Sequence, residues 1–176
     1  MNFRPAQKND AEAVLALYKA VIGTPFCVWD DEYPGSAEIE RDLAAECLFV
    51  LEENGEIIGA ISINPENELD AQENVGEYSG AVSINLKNER DCRRAKENAG
   101  EFARVVIRPD AQGKGLGKIL VAGILGKMRE RGYEIARLAV EANHIPAQRL
   151  YRSLGFQTVD RREMWGRQYL LCELKL

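Results

Sequence analysis

A glycine-rich turn between residues 108 and 118 carries the strongest chemical signal in the sequence. It reads Arg-Pro-Asp-Ala-Gln-Gly-Lys-Gly-Leu-Gly-Lys, with an apolar, strand-like run before it and a helical apolar pattern after it. Glycines at alternate positions leave backbone N–H groups without a Cβ in front of them, and the N-terminus of a helix favours negative charge. The sequence therefore predicts that this turn cradles a phosphate or pyrophosphate group.

Two common phosphate-binding glycine motifs are excluded by spacing. A P-loop has four residues between its first glycine and a Gly-Lys pair, which Ser or Thr follows. Here three residues separate the first and last glycines, and isoleucine follows the final lysine. The dinucleotide fingerprint places glycines at positions one, three and six, whereas this turn has them at one, three and five. The pattern that matches is Gln-x-x-Gly-x-Gly, formed by Gln112, Gly115 and Gly117. An ordinary turn without a ligand is the alternative.

A second pattern follows further along the chain. Asn143, Ala147, Tyr151, Gly155 and Phe156 form Asn-x-x-Ala-x-x-x-Tyr-x-x-x-Gly-Phe. Together with the glycine turn, this pattern resembles the GNAT superfamily of acyl-CoA N-acetyltransferases. In that family the first motif is the pyrophosphate loop, and the second follows the fifth strand. The resemblance covers roughly residues 101–156.

This resemblance implies the fold and the reaction. The implied fold is a single GNAT-like domain over residues 1–176, in the α/β (mixed α+β) class. Its central mixed sheet is mostly antiparallel, splayed between strands 4 and 5, and flanked by helices. The implied reaction moves an acetyl group from acetyl-CoA, as co-substrate, to a primary amine by direct attack in a ternary complex. It needs no metal, and the acceptor is a small-molecule or peptide amine.

The resemblance also implies which residues contact acetyl-CoA. The backbone of the apolar run holds the pantetheine arm, and an amide near Val106 donates to the developing oxyanion. Backbone N–H groups of the turn cover the pyrophosphate. The residues assigned to acetyl-CoA are Val105, Val106, Ile107, Gln112, Gly113, Lys114, Gly115, Leu116, Gly117, Lys118 and Asn143.

Two catalytic roles follow from the same resemblance. Tyr151 protonates the departing thiolate, and Glu101 removes a proton from the amine. Each residue also has a structural interpretation: Tyr151 lies on an apolar helical stripe and could be a packing residue, and Glu101 could be a solvated strand residue. Asn143 could be a helix cap, with or without a ligand role. His144 is expected to be an ordinary surface residue.

Composition limits the other possibilities. The chain has 176 residues and a formal net charge of −5, which argues against a general nucleic-acid binder. One histidine and four scattered cysteines offer few zinc ligands, so we expect reduced thiols in a cytoplasmic protein. No apolar run is long enough to span a membrane. A local basic cluster at the turn is expected from Arg104, Arg108, Lys114 and Lys118. A monomer or a homodimer is expected.

Two rival functions remain open. One is an acyl-CoA sensor or regulatory domain with the same fold and no turnover. The other is an interaction protein whose glycine turn binds nothing. Acidic residues at 66–77 and in the loop at 29–33 could flank a cationic acceptor, although such charges are usually solvated.

Periodicity and turn signals predict the secondary structure around these residues. Strands are predicted at 2–6, 48–52, 57–63, 81–86, 101–108, 135–140, 156–161 and 167–175, with an Asn54-Gly55 hairpin turn between the second and third. Helices are predicted from a cap at Asn9 or Asp10 to Gly23, from a Ser36 cap to about residue 46, at 90–96 as one turn, at 116–131 with Gly132 after its end, and from Pro146 to a stop at Gly155.

Overall fold

The computed structural model describes residues 1–64 and 98–176. The strands are β1 (Asn2–Pro5), β2 (Leu48–Glu53), β3 (Glu56–Asn64), β4 (Ala99–Ile107), β5 (Ile135–Glu141), β6 (Gln157–Met164) and β7 (Arg167–Lys175). The helices are α1 (Ala11–Val21), α2 (Ser36–Ala44), α3 (Leu116–Glu130) and α4 (Ile145–Ser153), with short 3-10 turns at Lys8–Asp10 and Pro109–Ala111. The strand predicted at 81–86 and the helical turn predicted at 90–96 lie outside the described residues.

All seven strands form one sheet in the order β1-β2-β3-β4-β5-β7-β6. Neighbouring strands are antiparallel except for β4 and β5, which are parallel. Helices cover the sheet on both faces. The expected α/β (mixed α+β) class, with a mostly antiparallel mixed sheet, is therefore confirmed.

The β4–β5 pairing is short. It consists of Ala99 with Ile135, Gly100 with Ala136, and Glu101 with Arg137. Both strands continue beyond these pairs without pairing to each other, β4 to Ile107 and β5 to Glu141. Successive backbone groups of a strand point to opposite edges, so every second N–H and C=O of residues 102–107 faces the gap. This gap is the expected splay.

Alternation along the strands divides the core between two faces. The face under α3, called the α3 face, packs Phe49, Leu51, Ile61, Ile63, Phe102, Ala136, Leu138 and Val140 with Leu120, Val121, Ile124 and Met128. The opposite face, called the α1 face, packs Leu48, Val50, Ala60 and Val106 with Val14, Leu17, Tyr18, Val21 and Ile39. Because Phe102 points to the α3 face, its neighbour Glu101 points to the α1 face.

A bulge interrupts β4 inside the splay. The pairing with β3 shifts between Ala60 and Ser62, so that Arg104 and Val105 together oppose a single residue of β3. Arg104 has φ = 54°, a left-handed conformation that is uncommon for a residue other than glycine. The bulge changes the direction of the strand next to the gap.

Several local predictions are confirmed. Asn54 and Gly55 both have positive φ, as a tight hairpin turn requires. Helices α3 and α4 end in Schellman motifs, in which Tyr133 N–H donates to the Met128 carbonyl and Phe156 N–H donates to the Tyr151 carbonyl, both at 3.1 Å.

Asp10 is the N-cap of α1, as predicted, but two other predicted cap assignments need correction. Gly35, and not Ser36, is the N-cap of α2, and the Glu38 carboxylate accepts from the Gly35 N–H at 2.7 Å. His144, and not Asn143, is the N-cap of α4, because its Nδ1 accepts from the Ala147 N–H at 3.3 Å. In both places the chain turns one residue away from the side chain that propensity favours.

Candidate active site

The glycine turn runs from β4 into α3 and presents unpaired backbone donors. Gly113 and Gly115 have φ values of 76° and 79°, and Gly115 is the N-cap of α3. Backbone bonds of the turn end with Ala111 and Gln112 on one side and resume with Lys118 on the other. Within residues 1–64 and 98–176, the N–H groups of residues 113–117 have no acceptor. Five donors at a helix N-terminus fit an anionic ligand such as a pyrophosphate.

The shape of the turn leaves room for that ligand. A Cβ placed on Gly113 or Gly115 would meet nothing within 4 Å, so the space in front of both is open. A Cβ on Gly117 would come within 3.2 Å of a Leu150 methyl group. The first two glycines therefore serve the backbone conformation, and the third allows close packing of α3 against α4. Leu116 is buried, while the Gln112 amide donates to the Ile107 carbonyl at 3.0 Å.

The expected basic cluster at the turn is smaller than predicted. Arg108 pairs with Glu56 at 2.9 Å and Asp110 at 2.7 Å, and Arg104 is buried away from the turn. Lys114 and Lys118 are exposed, and neither has a carboxylate within pairing distance in the described part of the chain. These two lysines supply the positive charge next to the open donors.

The backbone of the splay follows the glycine turn toward the sheet. Val105 and Ile107 are half-buried on the α3 face, and Val106 is buried on the α1 face. The N–H groups at this edge of β4 have no β5 partner. A ligand lying in the gap could therefore complete the backbone hydrogen bonds that the sheet lacks.

Glu101 lies where the splay begins. It belongs to the last pair that joins β4 to β5, and its side chain is on the α1 face beside Asn64 of β3. Only 5% of its surface is exposed. The interpretation as a solvated strand residue is therefore wrong.

Tyr151 lies at the same level of β4 on the opposite face. Its ring packs edge-on against Phe102, with centroids 6.2 Å apart, and against Phe156 at 5.8 Å. Phe102 is the residue directly after Glu101, so Tyr151 and Glu101 flank the same point of the strand. Burial raises the pKa of Tyr151 well above its ordinary value, which keeps the hydroxyl protonated. Its hydroxyl makes no hydrogen bond with any of residues 1–64 and 98–176.

Asn143 and His144 occupy the turn after β5. Asn143 is exposed, and the cap role belongs to its neighbour. The expectation that His144 is an ordinary surface residue is wrong. Its ring is half-buried and stacked on Phe26, with centroids 5.3 Å apart, and burial lowers its pKa. The Nδ1 atom accepts the cap hydrogen bond, so the neutral ring carries its proton on Nε2.

A buried ion pair beside the splay was not anticipated. Arg104 binds Asp42 of α2 through Nε at 3.0 Å and Nη2 at 3.1 Å, and both side chains are almost completely buried. The Arg104 Nη1 also donates to the Tyr33 hydroxyl at 3.3 Å. Because the partners are far apart in sequence, periodicity contains no signal of this contact. The pair fixes α2 and the loop before it to the β4 bulge.

Metal ligands and membrane-spanning helices bear on the expected partners. No group of three or more His, Cys, Asp or Glu side chains that could hold a metal occurs in residues 1–64 and 98–176, and independence from metals stays a prediction. Across those same residues, no helix combines the length and the apolar character that crossing a membrane requires.

Comparison with known proteins places the chain in a family. The sequence profile described as "Acetyltransferase (GNAT) family" matches residues 14–156. Mycothiol acetyltransferase of Saccharomonospora viridis is 49% identical over 61 residues, which are 35% of this chain and 20% of that protein. The chain thus matches about a fifth of the length of the mycothiol enzyme. L-amino acid N-acyltransferase MnaT of Escherichia coli is 26% identical over 161 residues, covering 89% of this chain and 79% of that protein.

Solved structures share the fold at low sequence identity. The ribosomal-protein-alanine N-acetyltransferase of Brucella melitensis has a TM-score of 0.71 with 19% identity, covering 100% of both chains. The putative acetyltransferase yncA of Salmonella typhimurium, solved with its cofactor acetyl-CoA, has a TM-score of 0.70 with 21% identity, covering 99% of this chain and 93% of that one. The resemblance seen in the motifs is confirmed over most of the chain, which belongs to the GNAT family of acetyltransferases.

Proposed function

We propose that this protein transfers an acetyl group from acetyl-CoA to a primary amine by direct attack in a ternary complex. The observation that carries the proposal is the splay, which has unpaired N–H groups at one end and Glu101 and Tyr151 on opposite sides of its apex. Acetyl-CoA would supply the thioester and a pyrophosphate for the donors of the turn. Family membership and the acetyl-CoA complex of the Salmonella neighbour support this assignment.

The proposed contacts with acetyl-CoA follow the path of the splay. The N–H groups of residues 113–117 hold the pyrophosphate, and Lys114 and Lys118 add positive charge. The backbone of residues 105–107 hydrogen-bonds the pantetheine arm in the gap. Gln112 positions the start of the turn through its bond to the Ile107 carbonyl. Asn143, exposed after β5, contributes an amide to the pantetheine arm.

The proposed chemistry uses three groups of the chain. Glu101 accepts a proton from the incoming ammonium, so that the amine nitrogen can attack the carbonyl carbon. The amide near Val106 donates to the carbonyl oxygen as negative charge develops there. Tyr151 donates its proton to the departing sulfur, and the second proton that the nitrogen loses replaces it on the tyrosine. Its raised pKa suits an acid that must stay protonated until the thiolate forms.

The acceptor is proposed at the level of a small-molecule or peptide amine. The names of the relatives, an L-amino acid N-acyltransferase and mycothiol acetyltransferases, are compatible with small acceptors. A cytoplasmic location is also proposed, and it is supported by the free thiols of Cys27, Cys47 and Cys172.

The proposal is tested by measuring free thiol release from acetyl-CoA against a panel of primary amines. We expect release that depends on an amine and forms the corresponding acetamide. Gly115→Asp should abolish acetyl-CoA binding, because it places a negative charge against the phosphates. Gly115→Asn is the matched control, since asparagine has the same shape and tolerates the positive φ of this position. Tight acetyl-CoA binding without release from any amine would instead favour the sensor. No binding at all would leave the turn without a ligand role.

A further inference from the structure

Three aromatic side chains in the described part of the chain are exposed. Phe26, Tyr33 and Trp165 are 44%, 38% and 65% exposed. The first two lie in the loop between α1 and α2, and the third lies at the turn between β6 and β7. Large exposed aromatic groups cost solvation free energy, so a site where they converge points to a ligand.

Two aromatic pairs lie on either side of Glu141, whose carbonyl accepts from the His144 N–H at 3.0 Å and whose strand partner is Tyr169. Phe26 stacks on His144, which follows β5. Trp165 packs edge-on against Tyr169 of β7, with centroids 5.5 Å apart. Burial raises the pKa of Tyr169 most, Glu141 raises it further, and Tyr33 adds a smaller effect in the same direction. We call these five aromatic residues the aromatic rim.

Strand register places the rim next to the splay. Tyr169 is the cross-strand partner of Glu141, the last residue of β5. Glu141 shares a sheet face with Arg137, which lies four residues earlier on β5. Arg137 is in turn the residue opposite Glu101 in the β4–β5 register. The rim therefore opens on the α1 face, where Glu101 lies. The hydrogen bond from Arg104 to Tyr33 attaches the loop side of the rim to β4.

Acidic and basic side chains alternate behind the rim, where Arg137 pairs with Glu173 at 3.0 Å. Glu141 is 8% exposed and pairs with Arg167 at 3.2 Å. Glu101 adds a second carboxylate on the same face, and Asp42 already pairs with Arg104. An ammonium approaching through the rim would meet aromatic faces, which attract a cation, before it reaches Glu101.

We infer that the acceptor is a primary amine carrying an aromatic group on a short linker. This inference rests on the proposed function of the splay as the transfer site. The aromatic group packs within the rim while the amine reaches Glu101. The nitrogen then forms a bond to the acetyl carbon, and the carbon–sulfur bond breaks. The ammonium loses one proton to Glu101 before the attack, and the sulfur gains one from Tyr151. The second proton that leaves the nitrogen restores the tyrosine, giving an N-(arylalkyl)acetamide and free CoA.

Two amines of equal carbon count provide the kinetic test. We expect kcat/KM for 2-phenylethylamine to exceed that for 2-cyclohexylethylamine by about tenfold, since only the flat ring stacks well on aromatic side chains. Trp165→Leu should remove this preference without changing the dissociation constant of acetyl-CoA. Val159→Ala, which alters an exposed residue of β6 outside the rim, should keep it. Equal kcat/KM values for the two amines, or a preference that survives Trp165→Leu, would overturn the inference.

A binding measurement separates this inference from the proposed function. The chain has two tryptophans, and Trp29→Phe leaves Trp165 as the only one while keeping an aromatic ring against Tyr18. With CoA present, 2-phenylethylamine should change the Trp165 emission saturably, and at lower concentration than 2-cyclohexylethylamine. If binding is seen and no amine is acetylated, the proposed function fails and the rim assignment stands. If other amines are acetylated and the emission of Trp165 does not respond, the rim assignment fails alone.

Discussion

The side chains assigned to the splay differ in burial and in hydrogen bonding. Tyr151 combines a buried ring with a hydroxyl that has no hydrogen bond in the described part of the chain. A tyrosine whose only role is packing usually has a partner for its hydroxyl. Glu101 is similarly buried at the point where two strands separate. Both residues are therefore sharper targets than the exposed Asn143.

Tyr151→Phe should lower kcat while leaving the dissociation constant of acetyl-CoA unchanged. Phenylalanine keeps the edge-on contacts with Phe102 and Phe156, so the aromatic cluster persists. Loss of a general acid typically costs about 10²-fold to 10⁴-fold in rate. Steady-state kinetics and calorimetric titration give the two quantities. Unchanged kcat would remove Tyr151 from the acid role.

Glu101→Gln should lower kcat/KM for the amine most strongly at neutral pH. The loss should shrink as the pH approaches the pKa of the amine, because the free base then needs no help in losing a proton. A pH profile of kcat/KM for both proteins measures this. A loss that stays constant across the profile would indicate a structural role for the carboxylate.

His144 should make stability depend on pH. Its pKa is lowered in the folded protein, so below about pH 6.5 the unfolded chain binds the proton more readily than the folded one. The contribution of His144 to the free energy of unfolding is therefore fully present above that pH. It is lost as the pH falls toward the lowered pKa of the folded protein. His144→Asn keeps a good N-cap and cannot titrate. Urea denaturation between pH 7 and pH 5 measures the free energy of unfolding. This free energy should vary less with pH in the His144→Asn variant than in the wild type.

At the scale of elements, the contact between α2 and β4 fixes the helix to the strand beside the splay. Arg104 is held in a left-handed conformation within the bulge, and its guanidinium is fixed by Asp42. The bulge and the helix are thus linked by one buried ion pair. Such a pair adds little compared with apolar packing, but removing one partner leaves an uncompensated charge.

Asp42→Ala should therefore destabilise the fold by about 3–5 kcal/mol. The double variant Asp42→Leu with Arg104→Met should recover much of this loss, because no charge remains buried. Urea unfolding measures both free energies. If Asp42→Ala lowers the free energy of unfolding by less than about 1 kcal/mol, Asp42 is not needed to compensate the buried charge of Arg104.

Element boundaries were largely predictable, because glycine positions and apolar periods act locally. The hairpin at Asn54, the end of α3 at Gly132 and the glycine turn were all predicted from short stretches. Contacts between distant residues were not predictable in this way. Arg104 and Arg108 looked like parts of one basic cluster, yet their partners Asp42 and Glu56 lie far away in sequence. The cap of α4 was missed because histidine is a less usual cap than asparagine.

At the scale of the whole molecule, ligand binding should stabilise the fold measurably. A ligand at about 100 times its dissociation constant adds about 2.7 kcal/mol. In a chain of this size that corresponds to a rise of roughly 5–10 °C in Tm. Thermal unfolding with acetyl-CoA and with free CoA should give similar shifts, since the pyrophosphate is common to both. Gly115→Asp should show neither shift, and Gly115→Asn should retain most of both.

Only three residue pairs join β4 to β5, so the two portions of the sheet share very few interstrand hydrogen bonds. A molecule lodged between these strands would bond to both and so substitute for the missing interstrand bonds. Slower amide exchange on ligation should consequently be concentrated along residues 102–107 and 138–141, with the distant edge strands β1 and β6 hardly altered. Bound co-substrate would therefore help to hold the two portions of the sheet together.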